Sequence, residues 1–437
     1  MFDLAKRHTT VGREIRGALA TFLTMAYILF ANPTILAAAG VPFEGAAAAT
    51  AAAAGLCCLL MGLGANAPIA LAPGMGLNAV VAFQLASAAG SWQAAMGLIV
   101  VEGLVVLALV LLGVREGVMN AIPLDLRRAI GVGIGLFIAF IGAVNAKLVI
   151  VPAGTVSTLA AHPGAILPPV TFGSLHTPEP LIALTGLIVT AIWVARGGKG
   201  ALLLGVAVAT VAALAAGVAH VPVAQWFRVP VFDTVFKADL GAAFRLSAVP
   251  LVLSLVMVDF FDTIGTVTAI GEAAQLNDAH GRFPRLRAVL AIDAISASVG
   301  GAFGASSVTS YIESAAGASE GARTGLHTVI VGVLFLIAMF AAPLAAIVPA
   351  SATAPALLTV GFLMTQQVTR IDFHHFDTAL PAFLTLLLIP LTWSIAHGIG
   401  YGFLTHVAIK LLTGRGRDVH PLLYATTAAF AGYFAIE

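Results

Sequence analysis

Residues 66–78 have the sequence Asn66-Ala-Pro-Ile-Ala-Leu-Ala-Pro-Gly-Met-Gly-Leu-Asn78, an apolar run interrupted by two prolines and two glycines. Proline removes a backbone donor and glycine loosens a helix, so this stretch predicts an extended segment instead of a continuous helix. A second interrupted stretch, rich in glycine and hydroxyl groups, reads Gly300-Gly-Ala-Phe-Gly-Ala-Ser-Ser-Val-Thr-Ser-Tyr-Ile-Glu313. Two such interruptions in corresponding positions of an apolar chain point to the binding site of a transporter, because only protein or a water-filled cavity satisfies irregular backbone at membrane depth.

The composition excludes the soluble protein classes. Of the 437 residues, 60% are hydrophobic and 9% are charged, and the mean hydropathy is +1.02, whereas soluble domains carry about 25% charged residues. These values predict an all-α polytopic membrane protein and exclude a cytosolic enzyme, a disordered regulator and a disulfide scaffold. The two cysteines are adjacent in an apolar run and form no metal-binding or disulfide pattern. The Lys and Arg residues form no basic patch, so no nucleic-acid partner is expected.

Apolar runs of roughly 20 residues, the length that crosses a hydrocarbon core of about 30 Å, predict fourteen spans. They are 17–39, 47–64, 74–90, 93–113, 130–148, 181–196, 201–219, 244–270, 286–302, 306–318, 325–342, 351–366, 379–395 and 397–413. With the N-terminus inside, this arrangement leaves only Lys147, Arg228, Lys237 and Arg245 of the 21 Lys and Arg residues outside, as the positive-inside rule favours. The short apolar tail 421–436 is interpreted as an interfacial helix, which keeps both termini cytoplasmic; a fifteenth span would move the C-terminus outside.

The strongest functional signal is a set of five acids inside the predicted spans. They are Glu102, Asp259, Asp262, Asp293 and Glu313. No Lys or Arg is predicted at a comparable depth, and a buried carboxylate without a basic partner either takes up a proton or meets a cation or an N–H donor. Both outcomes are typical of a cation-coupled carrier. A proton is therefore the expected coupling ion, with Na⁺ as the alternative, and no cofactor or bound metal is expected.

The eighth predicted span carries a polar stripe. Asp259, Asp262, Thr263 and Thr266 are spaced i, i+3, i+4 and i+7, which places their side chains on one face of a helix. Such a stripe on an apolar helix must face a cavity or another polar element. The two interrupted segments are the expected partners.

Structural interpretations compete with the functional ones. An acid inside a span can simply hydrogen-bond a neighbouring helix, and this is the main alternative for Asp293 and Glu102. Asn78 either contacts a ligand or caps its interrupted segment. The hydroxyl groups of Ser307 and Thr309 either contact a ligand or satisfy freed backbone groups.

Three segments, in this order, resemble the signature segments of the nucleobase–cation symporter family 2, and more narrowly its adenine/guanine/hypoxanthine permease branch. They are Ala72-Pro-Gly-Met-Gly-Leu-Asn78, Val258-Asp-Phe-Phe-Asp-Thr-Ile-Gly-Thr266 and Ser306-Ser-Val-Thr-Ser-Tyr-Ile-Glu-Ser-Ala-Ala-Gly317. Thr21-Phe-Leu-Thr-Met-Ala-Tyr-Ile-Leu-Phe-Ala-Asn-Pro33 and Gly321-Ala-Arg-Thr-Gly325 fit the same pattern. The resemblance therefore covers nearly the whole chain.

The resemblance implies a fold of two inverted repeats of seven spans, with short extended strands at the starts of the third and tenth spans. A core domain would comprise residues 1–114 and 241–343, and a gate domain residues 115–240 and 344–415, followed by the tail 416–437. The gate domain is expected to mediate a homodimer surrounded by membrane lipid. A weak internal match supports the repeat, because Pro123 and Gly135 are separated from Pro349 and Gly361 by the same number of residues.

The resemblance also implies a substrate site between the two strands and the eighth span. The expected substrate-binding residues are Asp262, Glu313, Asn78, Asp259, Gly76, Ser307 and Thr309. The expected proton-coupling residues are Asp259, Asp262, Glu313 and Asp293. Carboxylates accept the N–H groups of a purine edge and, when protonated, can also donate.

The sequence thus predicts a proton-coupled symporter, not an enzyme, that imports hypoxanthine, guanine or adenine across the plasma membrane by alternating access. In a bacterium this would be the inner membrane. The alternative is a transporter of anions or other small heterocycles on the same fold, although an anion site is expected to present a basic residue or helix N-termini without acids. An intramembrane aspartyl protease is disfavoured because the Gly-x-Gly-Asp pattern is absent.

Overall fold

The computed structural model describes residues 2–113, 122–152, 154–155, 158, 170–198, 200–220, 229–245, 248–277 and 283–436. Arg228 and the expected domain boundary at residues 114 and 115 lie outside them. The helices are α1 (Val11–Met25), α2 (Ile28–Ala37), α3 (Phe43–Leu60), α4 (Met75–Val80), α5 (Ala86–Ala89), α6 (Trp92–Leu111), α7 (Leu124–Asn145), α8 (Pro178–Ala195), α9 (Ala201–Ala215), α10 (Ala248–Ala273), α11 (Leu286–Phe303), α12 (Ser314–Ser319), α13 (Gly325–Ala338), α14 (Ala350–Thr365), α15 (Phe376–Thr392), α16 (Ile395–Leu412) and α17 (Pro421–Ile436). The strands are β1 (Leu71–Pro73), β2 (Val149–Ile150), β3 (Thr171–Phe172) and β4 (Val308–Ser310).

Short helical turns of other types extend several of these helices. Two π-helical segments, Met61–Ala65 and Val81–Leu85, follow α3 and α4, and 3₁₀ segments lie at Leu240–Phe244, Met339–Ile347, Gln366–Arg370 and Gly416–Asp418. Among the described residues, seven helical stretches are long and apolar enough to cross a membrane. They are Val11–Ala37, Phe43–Ala65, Trp92–Leu111, Leu124–Asn145, Pro178–Ala195, Leu286–Phe303 and Ile395–Leu412. Shorter apolar helices accompany them.

The first predicted span, 17–39, consists of two helices and begins earlier than hydropathy indicated. Helix α1 begins after Thr10, whose side chain accepts a hydrogen bond from the backbone N–H of Arg13 at 3.4 Å. Hydropathy detects only the apolar part of a helix, so the charged first turns of α1 escape it. The helix is interrupted at Ala26 and Tyr27, and α2 continues from Ile28.

The two interrupted segments pair with each other. Strands β1 and β4 are antiparallel, with Leu71 opposite Ser310, Ala72 opposite Thr309 and Pro73 opposite Val308. Two further bonds extend the ladder: the N–H of Gly74 donates to the carbonyl of Ser307, and the N–H of Tyr311 donates to the carbonyl of Ala70, both at 2.9 Å. The backbone groups that proline and glycine free from helical bonding therefore satisfy one another in the interior of the protein.

Hydrogen bonds from the N-terminal segment hold the end of the second helical stretch, Phe43–Ala65, next to the loop before α13. Asn66 ends that stretch in a left-handed conformation, with φ of 49°, and its Oδ1 accepts from the N–H of Gly325 at 2.7 Å. Arg7 donates from Nη1 to the carbonyls of Asn66 and Arg323, both at 2.8 Å. Residues far apart in sequence are thereby held at one end of the molecule.

The helices pack in two groups. In one, α3 packs on α13, α6 packs on α11, and α1 packs on both α12 and α13. In the other, α14 packs on α7, α8 and α9, and α15 packs on α7 and α16. Helix α10 contacts both groups, through α6 and β4 on one side and through α7 and α16 on the other. The C-terminal helix α17 packs on α16 and α10.

Candidate substrate site between the paired strands and helix α10

Three elements surround the candidate site. Helix α10 carries Asp259, Asp262 and Thr263 and packs against β4, α12 and α4. Strand β1 leads into α4 with Asn78, and β4 leads into α12 with Glu313. The polar stripe of α10 therefore lies close to both interrupted segments.

Asp293 on α11 connects α10 to β4. Its Oδ1 accepts from the backbone N–H of Ser310 at 2.9 Å and from the Ser310 hydroxyl at 2.6 Å, and its Oδ2 accepts from the Thr263 hydroxyl at 2.6 Å. The Thr263 and Thr309 hydroxyls lie 3.1 Å apart. Hydrogen bonds to an ionised acceptor are the strong ones, so this fully buried carboxylate fixes β4 relative to α10.

Asp262 and Glu313 are both half-buried, which separates them from the other membrane acids. They lie within electrostatic range of each other, and Asp293 lies within range of Asp262. The hydroxyl of Tyr27 donates to Oε1 of Glu313 at 3.2 Å. Two partly accessible carboxyl groups thus face the same region beside the strand pair.

Asn78 combines the two roles that the sequence left open. Its Nδ2 donates to the carbonyl of Pro73 at 3.3 Å, which caps the interrupted segment. Its Oδ1 is buried and has no hydrogen-bond partner within the described part of the chain. A buried acceptor of this kind is costly unless a ligand or water satisfies it, so Asn78 can cap and bind at once.

The remaining expected residues differ in accessibility. Asp259 and Glu102 are fully buried, and Glu102 lies close to the strand pair because the Ser307 hydroxyl donates to its Oε2 at 3.5 Å. Thr309 is buried, and its hydroxyl group contacts that of Thr263. Its backbone groups belong to the β1–β4 ladder. Gly76 is half-buried at the start of α4.

Space around Gly76 is limited on the side of α7. A Cβ atom at Gly76 would lie 2.8 Å from Cγ2 of Ile134. A side chain there would displace α7 or narrow the region in front of α4. The glycine therefore allows close approach between α4 and α7.

The hydroxyl groups of two tyrosines, Tyr27 and Tyr311, also form hydrogen bonds at the candidate site. Neither hydroxyl was predicted from the sequence. Besides the bond from Tyr27 to Glu313, the hydroxyl of Tyr311 donates to the carbonyl of Pro73 at 2.5 Å. The signal that could have found Tyr27 is its type: a tyrosine inside an apolar span needs a hydrogen-bond partner for its O–H group. No periodicity marks it, because it lies at the break between α1 and α2.

Comparison with known proteins identifies the family. The sequence model of the family described as "Permease family" matches residues 12–400. The chain is 37% identical to adenine permease AdeQ of Escherichia coli (strain K12), over 99% of this chain and 94% of that protein. It is 38% identical to guanine/hypoxanthine permease PbuG of Bacillus subtilis (strain 168), over 99% of this chain and 98% of that protein.

Among solved structures, the transmembrane domain of the cyanobacterial bicarbonate transporter BicA has the same fold. The TM-score is 0.62 at 19% identity, covering 88% of this chain and 97% of that domain. The protein is thus a mostly helical, polytopic membrane protein, and its named relatives are transporters and not enzymes. Together with the three signature segments, these matches place the chain in the Permease family, as a member of the nucleobase–cation symporter family 2 and its adenine/guanine/hypoxanthine permease branch.

Proposed function

We propose that the protein imports purine nucleobases together with protons across the plasma membrane by alternating access. The observation that carries this proposal is the convergence of half-buried Asp262 and Glu313 with the buried acceptor of Asn78 beside the strand pair. The names of the relatives AdeQ and PbuG, an adenine and a guanine/hypoxanthine permease, supply the substrate class.

The chemistry of these groups suits a purine edge. A purine presents N–H donors and ring-nitrogen acceptors in one plane, and ionised carboxylates accept while protonated ones donate. Oδ1 of Asn78 provides a further acceptor. Backbone groups at Gly76, Ser307 and Thr309 can complete the contacts from the ends of the two strands.

The membrane acids differ in the hydrogen bonds that they already accept from the protein. Asp293 accepts three hydrogen bonds from Ser310 and Thr263, which assign it a supporting role. Asp262 and Glu313 are accessible and lie near each other, so one proton between them would relieve like-charge repulsion. We therefore assign proton coupling first to this pair and second to Asp259.

The transport cycle requires two bodies that move against each other. The proposal assigns fourteen spans in two inverted repeats, with core residues 1–114 and 241–343 and gate residues 115–240 and 344–415. Support comes from the two packing groups of helices and from repeat-related elements in contact: β1 pairs with β4, and a Cβ at Gly135 would lie 2.8 Å from the carbonyl oxygen of Gly361. The gate would form the homodimer, and the N-terminus would be cytoplasmic.

An anion carrier on the same fold is less well supported. The likeness to BicA is one of fold at 19% identity, whereas identity to the purine permeases is 37% and 38% over nearly the whole chain. Accessible carboxylates at the site would also repel an anion.

The test is uptake of labelled hypoxanthine, guanine, adenine and uracil into cells that lack nucleobase carriers, with and without a protonophore. Purine accumulation that collapses with the proton gradient is expected. Asp262→Asn should abolish accumulation in correctly inserted protein, while Asp418→Asn, an exposed acid in the turn after α16, should leave it unchanged. If the wild-type protein takes up none of the purines, the proposed substrate class is wrong. If the protonophore does not change purine uptake, the proposed proton coupling is wrong.

A further inference from the structure

Tyr27 connects the first helical stretch, Val11–Ala37, to a carboxyl group of the candidate site. It is 1% exposed, at the break between α1 and α2, and donates to Oε1 of Glu313 at 3.2 Å. The Tyr311 hydroxyl lies close to that of Tyr27. Each hydroxyl has one proton to donate: Tyr27 donates to Glu313 and Tyr311 donates to the carbonyl of Pro73, so the two bonds lie side by side at the end of β1.

We propose that Tyr27 is a positioning residue that fixes the Glu313 carboxyl group for purine binding. The hydroxyl holds one carboxylate oxygen from the buried side, while the half-buried Glu313 extends to the accessible side of the cluster. Tyr311 lies next to Tyr27 and bonds the end of β1. The inference rests on the proposed function, since it concerns the same site.

The experiment measures KM and Vmax for labelled hypoxanthine in Tyr27→Phe, which keeps the ring and removes only the hydroxyl. Loss of one hydrogen bond to a carboxylate should raise KM about tenfold with Vmax within about twofold of wild type. Tyr311→Phe, which removes the neighbouring bond to the carbonyl of Pro73, should raise KM in the same direction. Tyr424→Phe, which removes a bond to the carbonyl of Gly416 far from the site, is the matched control and should change neither constant.

The outcomes separate this inference from the proposed function. No purine uptake by wild type would reject the function itself. Normal wild-type uptake with an unchanged KM in Tyr27→Phe, or a fall in Vmax alone, would reject the positioning role. If Tyr27→Phe fails to insert, an unchanged KM in Tyr311→Phe rejects it instead.

An independent observation concerns the C-terminal helix. Helix α17 has 16 residues without a charged side chain and runs antiparallel to α16. Near the turn the Tyr424 hydroxyl donates to Gly416, midway the ring of Phe430 packs edge-on against Phe403 at 6.0 Å, and at the far end Phe434 stacks on Tyr401 at 4.9 Å. The contacts therefore follow α16 along nearly its full length.

The end of α17 reaches the first turn of α16. Phe434 also stacks on His397 at 5.4 Å, three residues after the N-cap Ser394. Gly400 permits this approach, because a Cβ there would lie 2.5 Å from Cζ of Phe434. The 16 residues of α17 rise about 24 Å at 1.5 Å per residue, against about 27 Å for the 18 residues of α16, so α17 returns across most of the thickness that α16 crosses.

We infer that α17 crosses the membrane beside α16 and α10 and places the C-terminus on the side opposite the N-terminus. Helix α16 is one of the span-length helices, so a partner that contacts its first turn cannot lie flat at its other end. The basic residues Arg415 and Arg417 occupy the turn between the two helices, which favours a cytoplasmic turn and an external C-terminus. The sequence had favoured an interfacial helix, because 16 apolar residues are short for a span.

The test uses full-length protein with Cys57 and Cys58 replaced by alanine, both being buried. Ala435→Cys at the end of α17 should react with a membrane-impermeant maleimide on intact cells, and Asp418→Cys in the turn should react only after permeabilisation. Reaction of both only after permeabilisation would overturn the crossing. If Ala435→Cys reacts in neither condition, a C-terminal epitope decides: antibody binding on intact cells supports the crossing, and binding only in opened cells rejects it.

Discussion

At the scale of single residues, hydrogen-bond partners distinguish a structural acid from one that can bind substrate, which residue type alone does not. Asp293 and Glu313 both appear in the sequence as isolated acids in apolar surroundings. In the fold Asp293 receives three donors and is fully buried, whereas Glu313 receives the Tyr27 hydroxyl and is half-buried. An acid saturated by its own protein holds structure, and an accessible one is free to exchange bonds with a substrate or a proton.

Asp293→Asn should lower both stability and transport. The amide keeps one acceptor oxygen but turns an N–H₂ group toward donors from Ser310 or Thr263, so the free energy of unfolding should fall by about 2–4 kcal/mol. The measurement is thermal unfolding of purified protein together with purine uptake. Ser296→Ala on the same helix removes hydroxyl contacts with neutral groups, the carbonyl of Ile292 and the thiol of Cys57, and should cost about 1 kcal/mol or less. Equal stability of the two variants would contradict the role of Asp293.

The residues could be predicted where chemistry and spacing coincide. The helical spacing from Asp259 to Thr263 identified the face of α10 that meets the strands, because period alone fixes a helix face. Tyr27 could not be found this way. Its partner Glu313 is 286 residues away, and only the three-dimensional packing of α1 against α12 brings the two together.

At the scale of secondary-structure elements, glycine and proline made the interruptions predictable but not their pairing. Pro68 and Pro73 exclude a regular helix from sequence alone. The register that sets Ala72 opposite Thr309 depends on where α3 and α11 end in space. A sequence without that geometry predicts two extended segments and leaves their alignment open, since a shift by one residue would turn every side chain to the other face.

Close helix contacts in the first packing group depend on Gly17. A Cβ there would lie 2.6 Å from Cβ of Ala322 and 2.8 Å from the carbonyl oxygen of Gly317, so α1 would move away from α12. Gly17→Ala should therefore lower the free energy of unfolding by about 1–3 kcal/mol and reduce uptake. Gly12→Ala on the same helix has no neighbour within 4 Å and should be neutral or stabilising by up to about 1 kcal/mol. Thermal unfolding of both variants measures the difference in stability. Equal stability of the two would mean that the close contact of α1 with α12 is unimportant.

The N-terminal segment makes a second test at this scale. Arg7→Ala removes both hydrogen bonds to the carbonyls of Asn66 and Arg323, and we expect a loss of about 1–3 kcal/mol of unfolding free energy. Lys6→Ala removes only an exposed pair with Asp3 at 3.7 Å and should be neutral within about 0.5 kcal/mol. Urea or thermal unfolding compares the two. A neutral Arg7→Ala variant would mean that the segment is held by other contacts.

At the scale of the whole molecule, two positions that match in the sequence lie in contact. Gly135 and Gly361, matched in the sequence only by their separations from Pro123 and Pro349, lie against each other where α7 packs on α14. Hydropathy could predict the apolar runs but not which of them pack together, because every lipid-facing helix looks alike by that measure. The resemblance to a known family predicts a grouping of the helices into core and gate, which the composition cannot.

Trp393 provides a test of movement between the two groups. It lies in a left-handed conformation between α15 and α16, and its ring packs edge-on against Phe83 of the proposed core at 5.3 Å and Phe140 of the proposed gate at 5.4 Å. In the same place the N–H of Ile395 donates to Oε1 of Gln84 at 3.2 Å. If core and gate move as separate bodies, the contact with Phe83 must break in each cycle while that with Phe140 persists.

Paired cysteines should reveal this difference, in a background that lacks Cys57 and Cys58. Joining Phe83→Cys to Trp393→Cys with a short bifunctional thiol reagent should abolish purine uptake, whereas joining Phe140→Cys to Trp393→Cys should leave most of it. Each linked protein is compared with its own unlinked form, so any effect of the Trp393 substitution cancels. Equal inhibition by both links would mean that the two groups do not separate at this contact. Unchanged uptake with the first link in place would mean that this region moves as one body and that access alternates elsewhere.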